Sequence, residues 1–400
     1  MVLGFVFVLL GAICGGSFGL PSKFVKKDMP WENLWGPFFL FVTVLIPVTL
    51  GPVIVKDFYT IYSVAGLNIL ILPLLFGFLW GLGSMTLGMS FAFIGLSLAY
   101  ALNYGAQIMF GSMAPMLLHN ADEVLTPHGY VILAGVAVCL LGVIVAGRAG
   151  ILKERSLKKN EPETHQPQTA TKKPKMLIGL VIGVGSGILC ACYAVAASYA
   201  GPVLESAQYE FGNPPWRAAF VVTAIILWGG ALSSFGYCVV LLVKNKTWKN
   251  FGKPGVGMLL VLALIMAFLH DGAIFFFGLG YIGLGKLGIS VGYAAFMSFA
   301  IIVGNVHGFR TGEWKGASRK SIAWIVTGIA ILIVGVCILG KGNHMRESRP
   351  AEVAAAPGTT HGAAWRGGSP HPPRQNAIPD PRAAGPETHR ARRGNAMPRG

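Results

Sequence analysis

Charged side chains are scarce in this chain. Asp, Glu, Lys and Arg make up 12% of its 400 residues, about half of the roughly 25% found in soluble globular chains. So few charges cannot cover a water-facing surface, which excludes the two or three soluble domains that the length alone suggests. The sequence has no Walker lysine motif and no His-Glu-x-x-His zinc motif, so neither ATP-driven pumping nor metal hydrolysis has support. Cysteine is limited to Cys14, Cys139, Cys190, Cys192, Cys238 and Cys337. All six fall in apolar runs, and Cys190 and Cys192 lack the two-residue spacing of metal or redox pairs, so no disulfide framework, metal site or cofactor is expected.

Apolar residues are abundant at 54%, and glycine supplies 54 positions, about twice its roughly 7% average. A mean hydropathy of +0.61 rules out the glycine-rich disordered classes. The composition predicts an all-α polytopic membrane protein. Crossing about 30 Å of hydrocarbon takes about 20 apolar residues, and ten runs qualify: 2–20, 35–55, 68–91, 96–118, 130–147, 176–200, 218–243, 257–281, 287–308 and 321–340. The first reads as a spanning helix and not a signal peptide, because Lys23, Lys26 and Lys27 follow it and no basic residue precedes it.

Basic residues sort by loop. Connections after the odd-numbered runs hold 19 Lys or Arg, and those after the even-numbered runs hold only Lys56, Arg217 and Lys286. The positive-inside rule then places the odd loops in the cytoplasm and both termini outside, although the basic tail by itself favours the cytoplasm. The formal net charge of +16 therefore acts as an orientation signal. Arg148 to Lys175 reads as a solvated linker touching anionic lipid headgroups. No aromatic residues interleave its charge, so nucleic acid is not an expected partner.

An internal repeat divides the chain. Gly135, Gly142, Gly147 and Arg148 recur 193 residues later as Gly328, Gly335, Gly340 and Lys341. The same offset relates Gly95-Leu96-Ser97, Tyr100-Ala101 and Gly111 to Gly288-Ile289-Ser290, Tyr293-Ala294 and Gly304. Each copy has five spans, an odd number, so the copies run oppositely through the bilayer, the inverted repeat of secondary transporters with a solute site near the midplane. The expected organisation is a five-helix half at 1–150, a cytoplasmic linker at 151–175, a second half at 176–342 and a disordered tail at 343–400, rich in Pro, Ala, Gly and Arg. Duplication of a packing unit explains the glycines equally well. It does not explain polar residues placed mid-helix.

Asp271 is the one formally charged residue inside the ten runs. A carboxyl there is costly and usually faces a cavity for transport or proton relay. Its alternative is a cap at a helix break, since Gly272 follows. His270, beside it, is a relay candidate or a satisfied core histidine, and adjacent helical residues are not expected to face each other. Asn103 and Gln107 share a helix face at i, i+4 and offer the paired donors and acceptors that hydroxyl-rich solutes require. Interhelical hydrogen bonding is their other reading. Tyr100, Tyr104 and Tyr193 are further candidates for solute contact, and Asn305 and His307 read as interface residues.

Several blocks resemble the L-rhamnose/proton symporter family of the drug/metabolite transporter superfamily. They are Gly11-Ala12, Gly15-Gly16-Ser17-Phe18, Pro21, Lys23, Val25-Lys26, Trp31-Glu32 and Trp35; Pro47; Trp80-Gly81 with Gly83; Arg148-Ala149-Gly150 with Leu152-Lys153-Glu154; Phe275-Phe276-Phe277; and Glu313-Trp314. The resemblance covers about residues 1–340. It implies ten helices in two halves that move a small sugar such as L-rhamnose inward with protons across a bacterial inner membrane. The chain departs from that pattern at Leu269-His270-Asp271-Gly272-Ala273, so Asp271 rests on the membrane argument alone. The reading is a proton-coupled transporter of a 6-deoxyhexose, not an enzyme. Its rivals are an exporter or exchanger of another solute, and a non-transporting sensor or scaffold.

Overall fold

The computed structural model describes residues 2–26, 28–119, 121–159, 176–284 and 292–347. By internal contacts the chain separates into Met1–Arg366 and Gly367–Gly400, and every described residue belongs to the first unit. Among the described residues all regular structure is helical. The α-helices are α1 Val2–Ser17, α2 Trp31–Leu40, α3 Ile46–Ile54, α4 Phe58–Ala65, α5 Leu67–His119, α6 Pro127–Lys159, α7 Met176–Cys190, α8 Cys192–Tyr199, α9 Gly201–Glu205, α10 Pro215–Gly230, α11 Gly236–Lys244, α12 Val256–Leu284, α13 Tyr293–Arg310 and α14 Arg319–Glu347. Helices are what apolar runs must form in lipid, where each backbone N–H and C=O needs an internal partner. Most of the expected linker, the tail beyond residue 347 and the repeat block at Gly288-Ile289-Ser290 lie outside the described residues.

Eight stretches among the described residues are long and apolar enough to cross a bilayer, against ten runs in the sequence. The third run and most of the fourth fall within one 45-residue stretch, Leu67–Gly111, about 68 Å at 1.5 Å per residue and twice a bilayer core. It is not straight. Gly95 has φ 83° and ψ 170°, which breaks α5 into residues 67–94 and 96–119. The ninth run begins within residues 285–291, outside the described residues, and continues as α13.

The packing between residues 1–159 and 176–347 is reciprocal. α1 lies against α12 and α13, and α7 lies against both parts of α5. α2 and α3 are joined by a π turn, Phe41–Leu45, and α10 and α11 by another, Ala231–Phe235. Each turn packs on the helix preceding the other. Asn33 Nδ2 donates to the Thr247 carbonyl at 3.0 Å, and Asn213 Nδ2 donates to the Lys56 carbonyl at 3.1 Å. Beside these carbonyls stand the two left-handed residues other than glycine among the described residues, Lys246 at φ 56° and Asp57 at φ 55°.

α6 and α14 form the most extensive helix pair. Ile132 faces Gly342, Gly135 faces Leu339, Cys139 faces Gly335, Gly142 faces Leu332 and Ala146 faces Gly328, one unbroken antiparallel register. Gly135, Gly142, Gly328 and Gly335, four of the glycines repeated in the sequence, are thus contact points of this pair, whereas Gly147 meets no neighbour within 4 Å. Lipid gives helices no hydrophobic reason to associate, so close backbone approach supplies the attraction. A methyl group added at Gly335 would stand 2.8 Å from the Cys139 nitrogen.

Candidate functional site

The candidate centre is built on α12, which runs unbroken through residues 270–272, so Asp271 lies inside a continuous helix. His270 Nδ1 and Asp271 Oδ1 are 2.9 Å apart. The sequence argument had placed them on separate faces. About 100° separates neighbours on a helix, yet the two side chains bend toward each other. Asp271 Oδ2 is buried and has no hydrogen-bond partner.

Rings from three places surround the imidazole. Phe18, just past α1, lies 5.4 Å from it edge-on, Phe38 of α2 5.9 Å and Trp80 of α5 5.9 Å. Trp80 continues to Tyr193 of α8 at 6.0 Å. The Tyr193 hydroxyl pairs with the Thr223 hydroxyl of α10 at 3.0 Å. The centre therefore joins α1, α2 and α5 to α8, α10 and α12. The His270 and Asp271 side chains keep 14% and 17% exposure, so they are not sealed in solid protein.

Magnitudes separate the readings of Asp271. A carboxylate at mid-membrane costs about 2.5–3.5 kcal/mol, and a polar contact between membrane helices returns about 0.6–2 kcal/mol. One bond to His270 does not offset the burial, and Oδ2 adds nothing.

Of the remaining candidates, Tyr100 meets Phe18, whose ring touches His270, while Asn103 faces α7. Tyr100 is fully buried, and its hydroxyl accepts the Gly19 N–H at 2.9 Å. Tyr104 donates to the Gly15 carbonyl at 2.9 Å. Both hydroxyls thus hold the end of α1. Asn103 donates to Ser186 Oγ at 2.9 Å, and its Oδ1 is buried without a partner. Gln107 is half-buried one turn further on. Asn305 accepts from the Ser97 hydroxyl, and His307 Nε2 meets Ser17 Oγ at 2.9 Å, so both stand at helix interfaces. Thr223, Phe18 and Phe38 were not among the residues singled out as candidates. A hydroxyl or a ring in an apolar run carries no local signal of the partner it meets across the fold.

A separate cleft of about 410 Å³ is lined by Val64, Ala65, Ile69, Pro202, Glu205 and Ser206 among others. It belongs to the loops after the second and sixth runs, and no residue of the aromatic centre lines it.

No solved structure matches this chain. Among curated proteins, the L-rhamnose-proton symporters of Citrobacter koseri, Shigella sonnei and Yersinia pestis are each 28% identical to it over 349 residues, which is 86% of this chain and 98% of each relative. The family model for the L-rhamnose-proton symport protein matches residues 1–345, all of the described helices but the last two residues of α14. The chain therefore belongs to the L-rhamnose-proton symport protein family.

Proposed function

We propose that the chain carries L-rhamnose or a related 6-deoxyhexose, together with protons, across a bacterial inner membrane. The observation that carries this reading is the bare Asp271 Oδ2 beside His270, in a ring-lined centre to which both parts of the chain contribute. Asp271 takes the proton and His270 steadies the carboxylate. Trp80 offers an apolar ring to the sugar and its methyl group, and Phe18 and Phe38 hold the imidazole in place. Tyr193, Asn103 and Gln107 supply hydrogen bonds to its hydroxyls, while Tyr100 and Tyr104 hold the end of α1 against the centre.

Transport then proceeds by alternating access between two inverted five-helix halves. The π turns at Phe41–Leu45 and Ala231–Phe235 and the matched bonds of Asn33 and Asn213 support that symmetry. Ten crossings follow when Gly95 divides α5 and α13 completes a span, and the basic loops put both termini outside. Uptake of labelled L-rhamnose into proteoliposomes under an imposed pH gradient tests the reading. Accumulation above protein-free vesicles is the expected result. Uptake equal to protein-free vesicles, with another sugar accumulated, rejects the substrate and keeps the transport class.

A further inference from the structure

The Glu313 carboxylate, only 8% exposed, joins segments that are distant in sequence. It lies in the turn between α13 and α14. Its Oε1 accepts the Leu96 N–H at 2.6 Å and its Oε2 the Ser97 N–H at 3.0 Å, so it caps the helix that restarts after the Gly95 break. Lys23 Nζ, in the segment between α1 and α2, lies 2.9 Å from the same Oε1. Beside it, Lys153 near the end of α6 sits over the Trp314 ring at 4.8 Å. These segments belong to the face whose loops carry the basic residues.

The same segments connect directly to the candidate centre. Lys23 follows Phe18, whose ring touches His270, by five positions, and Gly19 is bound to Tyr100 on the helix that Glu313 caps. The end of α1 is thus tied to residues 96–119 twice, once beside the centre and once at the membrane surface. A solute leaving the centre toward the basic face must part these segments. Parting them takes the lysine away from a shielded carboxylate, which costs more than breaking an exposed ion pair does.

We propose that Lys23 and Glu313 are the latch of the gate on the basic face, positioning residues that hold it shut until events at His270 and Asp271 displace Phe18. The proposal rests on the transporter reading above. On opening, the end of α1 swings away from residues 96–119 and the ammonium leaves the carboxylate. Glu313 keeps the two amides, so the restarted helix stays capped while the gate moves.

Cys14 provides the reporter, because its sulfur lies beside Gly272, next to Asp271. Variants retaining Cys14 as the one cysteine are labelled with a membrane-impermeant maleimide, applied in turn to right-side-out and inside-out vesicles. In Lys23→Gln and Glu313→Gln, labelling from the basic face is expected to rise about 5- to 10-fold, the size of a modest coupling energy, and to fall from the opposite face. Lys23→Arg should label like the parent. Lys23→Gln leaves the Glu313 cap in place, so it reads the latch apart from the helix. A rise from both faces alike, as loosened packing would give, overturns the proposal, and so does unchanged labelling. The readout requires no sugar, so a chain with the one-sided shift and no L-rhamnose uptake would keep the latch and lose the substrate.

Discussion

His270 Nδ1 stands 2.9 Å from Asp271 Oδ1, while the other carboxylate oxygen of Asp271 has no partner. The pair is therefore half-satisfied, held on one side and free on the other to take a proton or a hydroxyl. Asp271→Asn keeps the shape and removes the titrating group. It should abolish accumulation driven by a pH gradient while sparing sugar exchange, measured as counterflow in proteoliposomes. Accumulation equal to the parent would remove Asp271 from the coupling mechanism.

Trp80 bridges His270 and Tyr193, so its loss should weaken sugar binding more than it weakens the fold. Aromatic contacts contribute about 0.5–1.5 kcal/mol beyond area burial, and Trp80→Ala should raise the half-saturating sugar concentration about 10-fold or more. Trp80→Phe, which keeps a ring, should recover most of it. Equal affinities for Trp80→Ala and the parent would place the sugar elsewhere.

The Tyr193 and Thr223 hydroxyls form a pair 3.0 Å apart across α8 and α10. A double-mutant cycle of Tyr193→Phe and Thr223→Val, read by sugar affinity, should show a coupling near 0.6–1.7 kcal/mol, the range for hydrogen bonds between membrane helices. Additive losses would mean that the sugar does not sense this pair.

Gly142 and Gly335 lie 193 positions apart in the sequence and face Leu332 and Cys139 respectively. Leucine at either position overpacks the α6 and α14 contact, at a cost of about 1–3 kcal/mol. Gly142→Leu and Gly335→Leu should lower the thermal midpoint in detergent by similar amounts. A large loss at one and none at the other would contradict the reciprocal packing of the pair.

Gly95 has φ 83°, and the Glu313 carboxylate fills the place where a side chain would project. Gly95→Ala meets both backbone strain and a displaced carboxylate, at a cost of about 1–3 kcal/mol for the strain alone. The expected result is a lower thermal midpoint than that of Glu313→Gln, which loses a charge and keeps the break. The reverse order would show that the break does not depend on glycine.

Hydropathy alone identified the helical class, and charge scarcity isolated Asp271, because a bilayer acts on each residue according to its own polarity and needs no partner to do so. The 193-residue offset picked out the glycines of the α6 and α14 contact for a related reason, since close approach requires a missing side chain whatever lies opposite. Adjacency misled at His270, where side-chain rotation in apolar surroundings overrode helix geometry. The aromatic centre and the Lys23–Glu313 pair were decided only by tertiary structure. Phe18, Trp80 and His270 are scattered over some 250 positions of the chain, and Glu313 lies more than 200 positions from the amides it caps. Their identities allow such contacts with many partners, and only the packing of the helices selects one.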